Sequence, residues 1–164
     1  MVALSPLSRG ELPALLALST PAVLRDVRLR PWAGAHDALA WLRRLDAEHT
    51  AYGVYGAGRG LVGAGVVRRV ERLASFYYWI GEEHQGAGRG SAAAALLLDT
   101  ALHAGAEEVW TCVLPHNFRS LRLLARLGFR PAARRADGLL YLRRGEGPPL
   151  PSSLARLIAP TPQE

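Results

Sequence analysis

The sequence predicts a single α/β domain of the mixed α+β kind, and three observations lead to that prediction. Its 164 residues, 49% of them hydrophobic, are enough for one core and would divide poorly into two domains. Residues 52–80 contain three short β-prone runs joined by turns, which predicts an antiparallel meander. A glycine-rich segment then leads into a long helical pattern, so that strand, loop and helix follow one another.

The first 50 residues contain the signals of one strand and two helices. Val2 to Leu4 is β-prone, and Ser8-Arg9-Gly10-Glu11 resembles a capping box for a helix that Thr20-Pro21 should end. Residues 22–33 are rich in arginine and predict a loop or a short helical turn. The apolar spacing of residues 35–48 predicts a second amphipathic helix.

The meander and the segment after it have well-marked boundaries. Its three strands are expected at Tyr52–Gly56, Leu61–Val70 and Leu73–Ile80. A long helix should run from Gly90 to His103 and stop at Gly105, which is well placed as a left-handed cap.

The last third of the chain predicts one more strand, a helix and a hairpin. Val109 to Leu114 is strand-like, and Asn117 can cap a helix that ends near Gly128. Asp137-Gly138 should turn the chain into a final strand at Leu139–Leu142. We therefore expect one domain over residues 1–145, followed by a proline-rich C-terminal tail over residues 146–164.

The basic residues restrict the chemistry. The sequence has no lysine, so all 20 basic residues are arginines, and the formal net charge is +6. A Walker-type phosphate loop and Schiff-base chemistry both require a lysine amine, so both are excluded. Arginine pairs well with phosphates and carboxylates, which suits a polyanionic ligand or an acidic partner. No dense basic stripe is interleaved with aromatic residues, so nucleic acid is an unlikely partner.

Cysteine and histidine content gives three further expectations. The single cysteine, Cys112, cannot form an internal disulfide, which favours a reducing cytoplasm, and we expect its side chain in the core. The five histidines are scattered, so no metal site is predicted. No apolar run approaches the roughly 20 residues that a membrane-spanning helix needs, so no membrane association is expected.

The strongest functional signal is the segment Gln85-Gly86-Ala87-Gly88-Arg89-Gly90, which lies between a strand and a helix. Glycines let consecutive N–H groups point into one concavity, and the helix N-terminus adds partial positive charge. Arg89 and Ser91 add side-chain donors, so the segment predicts a pyrophosphate site. A tight turn without a ligand is the alternative. The third glycine of the dinucleotide fingerprint is absent, which argues against a nicotinamide cofactor.

This segment resembles the GNAT superfamily of acetyl-CoA-dependent N-acetyltransferases, whose loop reads Q/R-x-x-G-x-G/A. Gln85, Gly88 and Gly90 match that pattern. Tyr78-Trp79-Ile80-Gly81 before the loop is similar to the subgroup that acetylates protein N-termini, including those of ribosomal proteins. The stretch from Leu114-Pro115-His116-Asn117-Phe118-Arg119-Ser120 to Leu127-Gly128-Phe129 resembles the same subgroup.

The resemblance implies a mixed, mostly antiparallel sheet that is splayed between the fourth and fifth strands and flanked by helices. It implies acetyl-CoA as co-substrate, with pantetheine pairing along strand four and the pyrophosphate on the loop. The cofactor-binding residues expected on these grounds are Trp79, Ile80, Gly81, Gln85, Gly86, Ala87, Gly88, Arg89, Gly90, Ser91, Asn117 and Ser120. Asn117 can also be a plain helix cap.

Catalytic residues are harder to assign. Many relatives have a tyrosine that acts as the general acid where this sequence has Leu124. They often have a glutamate that acts as the general base where it has Ser75. Ser120 is the substitute candidate for the acid, although it can equally be a small residue that aids the helix cap. Glu83 and His116 are further candidates for holding or relaying a proton, and solvated loop-edge charges are the alternative.

Three functions are compatible with these observations. The first is an N-acetyltransferase acting on a primary amine, such as a protein N-terminus, by direct attack in a ternary complex. The second is a catalytically silent acyl-CoA-binding module, because the usual tyrosine and glutamate are missing. The third is a nucleic-acid or ribosome binder attracted by charge, which the dispersed arginines disfavour. The oligomeric state stays open, with a homodimer among the alternatives.

Overall fold

The computed structural model describes residues 1–134, 138 and 140–145. Within these residues the strands are β1 (Val2–Pro6), β2 (His49–Gly56), β3 (Gly60–Val70), β4 (Leu73–Ile80), β5 (Glu108–Val113), β6 (Arg130–Arg134) and β7 (Leu140–Arg144). The α-helices are α1 (Leu12–Leu18), α2 (Pro21–Asp26), α3 (Ala35–Arg44), α4 (Arg89–His103) and α5 (Phe118–Arg126). Two 3₁₀ turns occupy Arg9–Glu11 and Glu82–His84. The predicted tail over residues 146–164, together with Asp137 and Leu139 of the predicted turn, lies outside the described residues.

The strands form one mixed sheet in the order β1-β2-β3-β4-β5-β7-β6, which confirms the predicted fold class. β1 with β2, β5 with β7, and β6 with β7 are antiparallel, whereas β4 and β5 are parallel. The β4–β5 ladder pairs only Leu73–Ser75 with Glu108–Trp110. Next to it the Thr111 hydroxyl donates to the Phe76 carbonyl at 3.2 Å, so a side chain replaces the ladder there. The splay between strands four and five is therefore confirmed.

The chain forms two compact units, each described by itself. The first comprises Met1–Val67 and Tyr77–Leu97, and its helices lie over a sheet whose β4 segment has two distinct faces. Trp79 packs in a cluster with residues of α1, α2 and α3, and Tyr77 packs against the same cluster. Ile80 packs with Ala93 of α4, and Tyr78 lies against that second cluster.

The second unit comprises residues 68–76 and the described residues from 98 onward. Its core contains Leu73, Trp110 and Tyr141. Glu108 is buried and accepts from the Trp110 indole at 2.5 Å and from Arg143 Nη2 at 2.9 Å. A buried carboxylate needs such partners, since an unpaired buried charge is strongly unfavourable.

The predicted second helix was too long by four residues. α3 ends at Arg44, and Asp46 begins a turn in which its carboxylate accepts from the Glu48 N–H at 2.9 Å. The same carboxylate oxygen lies 2.7 Å from Nδ1 of His49, the first residue of β2. Aspartate competes with the helix for backbone N–H groups, and the apolar periodicity does not register that competition.

Pro21 begins the short helix α2, which agrees with the short helical turn expected in residues 22–33, although Thr20-Pro21 was expected only to end the preceding helix. α1 ends at Leu18, and the Thr20 hydroxyl accepts from the Val23 N–H at 3.4 Å to cap α2. Proline suits the first helical position because its missing N–H would have no partner there. Cys112, expected in the core, is exposed on β5.

Candidate active site

The loop between β4 and α4 has three consecutive residues in the left-handed region. Their φ angles are 84° at Gly86, 45° at Ala87 and 73° at Gly88. A Cβ added at either glycine would have no atom within 4 Å, so there is space for a side chain. Glycine is favoured there because of the positive φ angle. Ala87 adopts the same region without that freedom, which costs about 1 to 2 kcal/mol.

This backbone conformation leaves a group of amide hydrogens without acceptors. The Arg89 N–H donates to the Gly86 carbonyl at 3.2 Å, and the Ala92 N–H to the Gly88 carbonyl at 2.9 Å. Within the described part of the chain, no hydrogen-bond acceptor is found for the N–H groups of Gly86, Ala87, Gly88, Gly90 and Ser91. Clustered free donors at the positive end of a 15-residue helix form an anion site, which suits the pyrophosphate that the sequence predicts.

Two side chains fix the loop in place. Gln85 Nε2 donates to the Ile80 carbonyl at 3.1 Å, which joins the start of the loop to the end of β4. Arg89 Nη1 donates to the His84 carbonyl at 2.9 Å and leaves its other guanidinium donors available. Both residues therefore shape the loop from within, in addition to any contact with a ligand.

The backbone of β4 presents alternate residues to its two edges. The Gly81 N–H donates to the Val62 carbonyl on β3 at 2.9 Å, and a Cβ built on Gly63 would collide with the Trp79 carbonyl. Trp79 and Gly81 thus face β3, whereas the Ile80 carbonyl, which Gln85 reaches, lies on the opposite edge. Of the three predicted backbone partners of pantetheine, the geometry favours Ile80.

The side chain of Trp79 belongs to the core. It is 3% exposed, and its indole N–H donates to the Ser19 hydroxyl at 3.0 Å. Its ring lies 5.5 Å from that of Trp41 and 6.1 Å from that of Trp32. The Trp79 side chain therefore packs β4 against the helices α1, α2 and α3.

Tyr78 is a residue of this region that the sequence analysis did not assign. A Cβ on Gly90 would lie 3.7 Å from Tyr78 Cε2 and 3.9 Å from its hydroxyl, so the ring sits beside the first turn of α4. Strand alternation could have indicated it, because Tyr78 and Ile80 point to the face opposite Trp79.

Glu83 and its neighbours lie on the 3₁₀ turn that precedes the loop. The Glu83 side chain is 76% exposed, and its Oε1 lies 3.4 Å from His84 Nε2. Glu82 accepts from the Thr20 hydroxyl at 2.6 Å, which ties this turn to the start of α2. The His84 side chain is 14% exposed, so of the Glu83–His84 pair it is the carboxylate that lies in solvent.

Asn117, Ser120 and His116 belong to the second unit, at the start of α5. The Asn117 side-chain oxygen accepts from the Ser120 N–H at 3.1 Å, so the predicted cap is confirmed. For the Ser120 hydroxyl, no partner is found among the described residues. His116 is exposed, and Leu124, at the place of the usual tyrosine, is buried at 4% exposure.

Tyr77 is a partly buried tyrosine of β4 whose pKa is shifted. Burial raises the pKa of Tyr77 to about 12, and a hydrogen bond from the Trp41 indole, at 3.1 Å, partly opposes that rise. The tyrosine ring stacks on Trp79 with an interplanar angle of 12°. Tyr77 is therefore a neutral hydrogen-bond acceptor at physiological pH.

Metal-ligating clusters and membrane-spanning helices are both absent from the described part of the chain. No group of three or more histidine, cysteine, aspartate or glutamate side chains that could hold a metal ion is found in that part of the chain. None of the helices formed by those residues is both long and apolar enough to cross a bilayer.

Solved structures of similar fold include several acetyltransferases. The spermidine N-acetyltransferase from Vibrio cholerae, solved with CoA and spermine, has a TM-score of 0.77 and 19% identity, covering 87% of this chain and 94% of its own. The ribosomal-protein-alanine N-acetyltransferase from Brucella melitensis has a TM-score of 0.72 and 18% identity, covering 88% and 99%. At these identities the likeness establishes the fold.

Family membership rests on the sequence. No curated protein matches it. A family model described as an acetyltransferase (GNAT) domain matches residues 2–130, most of the chain. The protein therefore belongs to the GNAT acetyltransferase family and is an acyltransferase with acetyl-CoA as its co-substrate.

Proposed function

We propose that the protein transfers the acetyl group of acetyl-CoA to a primary amine, such as a protein N-terminus, by direct attack in a ternary complex. The observation that carries the proposal is the set of amide hydrogens without acceptors between Gly86 and Ser91. Five such donors beside a helix N-terminus suit a diphosphate better than a neutral ligand.

In this proposal the loop holds the phosphates and β4 holds the pantetheine arm. The Ile80 edge of β4 offers backbone groups to the amides of that arm, and Tyr78 lies beside the first turn of α4. Asn117 and Ser120 are assigned to the cofactor by resemblance. From the set that the resemblance implies, the geometry favours Ile80 among the three predicted backbone partners of pantetheine. That set is Trp79, Ile80, Gly81, Gln85, Gly86, Ala87, Gly88, Arg89, Gly90, Ser91, Asn117 and Ser120.

The reaction needs little covalent help from the protein. The neutral amine nitrogen attacks the thioester carbon, the carbon–sulfur bond breaks, and the amine loses a proton while the thiolate gains one. Donors must stabilise the oxyanion of the tetrahedral intermediate. Positioning of two bound substrates can supply much of the acceleration.

We propose Ser120 as the donor of the proton to the thiolate, with Glu83 and His116 as residues that relay the amine proton through water. The Ser120 hydroxyl is not engaged within the described residues, which leaves it available for this role. Replacement of each of Ser120, Glu83 and His116 in turn, with kcat measured across pH, ranks the three residues.

Acetyl-CoA affinity tests the role of the loop. Gly88→Ala places a Cβ at a φ of 73°, which strains the backbone, and a change of loop shape that relieves this strain would disperse the amides. We expect the Kd for acetyl-CoA, measured by calorimetry, to rise by about tenfold or more, or about 1.4 kcal/mol.

Gly58→Ala is the matched control for this experiment. Gly58 lies in the β2–β3 turn with a φ of 68° and nothing within 4 Å of an added Cβ, so it has the same conformational penalty far along the chain from the loop. If Gly58→Ala weakens acetyl-CoA as much as Gly88→Ala does, the loop has no special role.

The second candidate function is a silent acyl-CoA-binding module. It is favoured by Leu124 and Ser75 at the places where relatives carry an acid and a base. Release of free thiol from acetyl-CoA, assayed with a panel of amines and peptides, separates the two functions. Tight cofactor binding with no thiol release above the buffer rate would support the silent module.

Two smaller proposals concern the whole protein. We propose a homodimer, which sedimentation equilibrium would test. We also propose a cytoplasmic location, supported by the presence of only one cysteine in the sequence, which fractionation of cells would test.

A further inference from the structure

The solvent-facing side of α5 carries positive charge alone. Arg119, Arg122 and Arg126 are exposed, and their spacing of three and four residues places them on one side of the helix. Leu123, on the other side, is buried. Residues 109–134 contain no aspartate or glutamate. Among the described residues, no ion-pair partner is found for any of the three arginines.

This arrangement of charges opposes the stability of the helix. Arg119 lies in the first turn of α5, where the helix dipole disfavours a positive charge. Arg122 follows Arg119 by three residues and precedes Arg126 by four, and like charges at these spacings repel one another. The helix α3 shows the favourable order, with Asp37 in its first turn and arginines in its last. Helix stability therefore does not account for the charges of α5.

An exposed aromatic ring adjoins these arginines. Phe118, the first residue of α5, is 64% exposed, and within the described chain the other exposed large hydrophobic residue is Met1. Phe118 precedes Arg122 by four residues, so both lie on the same side of the helix. Aromatic residues and arginines are both enriched where proteins bind one another. We call Phe118, Arg119, Arg122 and Arg126 the α5 surface.

The chemistry of the α5 surface favours a protein with carboxylates over a nucleic acid or a membrane. Guanidinium groups bind carboxylates through two parallel hydrogen bonds, and an apolar residue of a partner can cover the exposed ring. Proteins that bind single-stranded nucleic acid alternate several aromatic rings with basic groups, whereas this surface has one ring, at its end. The apolar side of α5, with Leu123 and Leu124, is buried and cannot insert into a bilayer.

We propose that the α5 surface is a docking site for a partner protein with an acidic segment that contains an apolar residue among its carboxylates. The three arginines bind the carboxylates, and the Phe118 ring packs against the apolar residue. The surface uses none of the residues assigned to acetyl-CoA, so it adds a partner to the proposed acetyl transfer and does not depend on it.

The test measures the binding of a fluorescein-labelled peptide to the full chain by fluorescence anisotropy. The peptide carries three glutamates at the spacing of the α5 arginines and one leucine beside them, and saturating CoA is present to occupy the cofactor loop. We expect Arg122→Glu to raise the Kd for the peptide by about tenfold or more. Its thermal stability should be unchanged or higher, because the new carboxylate attracts Arg119 and Arg126. A merely structural role of Arg122 does not combine lost binding with retained stability.

Arg59→Glu is the matched control, because it makes the same change of charge at an exposed residue of the β2–β3 turn. At physiological salt it should change the Kd for the peptide by less than about twofold. Phe118→Ser tests the apolar contact. It should weaken binding of the leucine peptide and leave binding of a peptide with serine in place of that leucine unchanged.

Five outcomes would overturn the proposal. Absence of peptide binding to the wild type, or equal losses in Arg59→Glu and Arg122→Glu, would leave the α5 surface without a specific role. Binding that occurs only when CoA is omitted would place the peptide on the cofactor loop. Tighter binding of a single-stranded RNA, abolished by Arg122→Glu, would assign the surface to nucleic acid. A dimer that sedimentation equilibrium detects and Arg122→Glu dissociates would assign it to a second copy of the chain.

Discussion

Tyr77 makes the folded protein sensitive to alkaline pH. Its pKa is raised from 10.0 to about 12 by burial, so the folded state favours the neutral phenol more than the unfolded chain does. The resulting stability is fully present below pH 10 and is lost as the pH rises toward 12. We expect the free energy of unfolding to fall by about 2 to 3 kcal/mol over this window, measured by urea denaturation.

Tyr77→Phe is the control for this effect. Below pH 10 the variant should be less stable than the wild type, because the Trp41 indole loses the oxygen that accepts its hydrogen bond at 3.1 Å. The difference should shrink or reverse as the pH approaches 12. A wild-type stability curve parallel to that of Tyr77→Phe would mean that Tyr77 does not titrate in this way.

Individual residues also mark the limit of what the sequence could predict. Gly86, Gly88, Gly105 and Gly128 were readable as sites of positive φ because glycine tolerates that conformation. Arg28, Glu71 and Ala87 adopt it too, and nothing in their residue type signals it. Arg28 lies in the hydrogen-bonded turn that ends α2, and Glu71 lies in the turn between β3 and β4, so the turn and not the residue type sets the conformation.

At the scale of elements, α5 offers a test of whether Asn117 binds the cofactor in addition to capping the helix. Asn117→Asp keeps a side-chain oxygen that accepts from the Ser120 N–H and places negative charge at a helix start, so stability should change by only a few tenths of a kcal/mol. The aspartate lacks amide donors and repels phosphates, so the Kd for acetyl-CoA should rise by about tenfold. Thermal denaturation and calorimetry measure the two effects.

Asn117→Ala completes this comparison. It removes the cap, which should cost about 1 kcal/mol of stability. If Asn117→Asp binds acetyl-CoA as the wild type does, Asn117 acts as a helix cap alone.

Element boundaries followed the sequence where a strong local signal was present. The capping box was predicted from the sequence and is present in the structure, where the Ser8 N–H donates to the Glu11 carboxylate at 2.7 Å. β4 has the predicted bounds because Glu71-Arg72 and Gly81 flank an unbroken β-prone run. The end of α3 was missed because a single aspartate side chain, that of Asp46, determines it.

The whole molecule is basic, and its co-substrate is highly anionic. With a formal net charge of +6, the protein attracts the phosphates of acetyl-CoA, and dissolved salt screens this attraction. We expect affinity measured by calorimetry to weaken on the order of tenfold between low and high salt. Acetyl-pantetheine, which lacks the phosphates, should bind weakly at every salt concentration. Salt-independent binding of acetyl-CoA would contradict a charge-driven site.

Sequence order predicted the molecule's architecture better than its site. The order of strand, glycine-rich loop and helix could be predicted from the sequence. Together with the resemblance, that order predicted the mixed sheet and the separation of β4 from β5. The site was only partly readable, because the spacing of residues does not show that Gln85 folds back on Ile80 or that Glu82 binds Thr20. These side-chain contacts depend on how the chain folds back on itself, so a periodic pattern of apolar residues does not predict them.

The exposure of Cys112 on β5 has a practical consequence. A solvent-facing sulfur reacts with alkylating agents and with the dyes that count liberated coenzyme. In a thiol-detecting assay the enzyme would therefore give a background signal of one thiol per chain before any turnover, since the sequence has a single cysteine. That same sulfur offers a unique attachment point for a fluorophore.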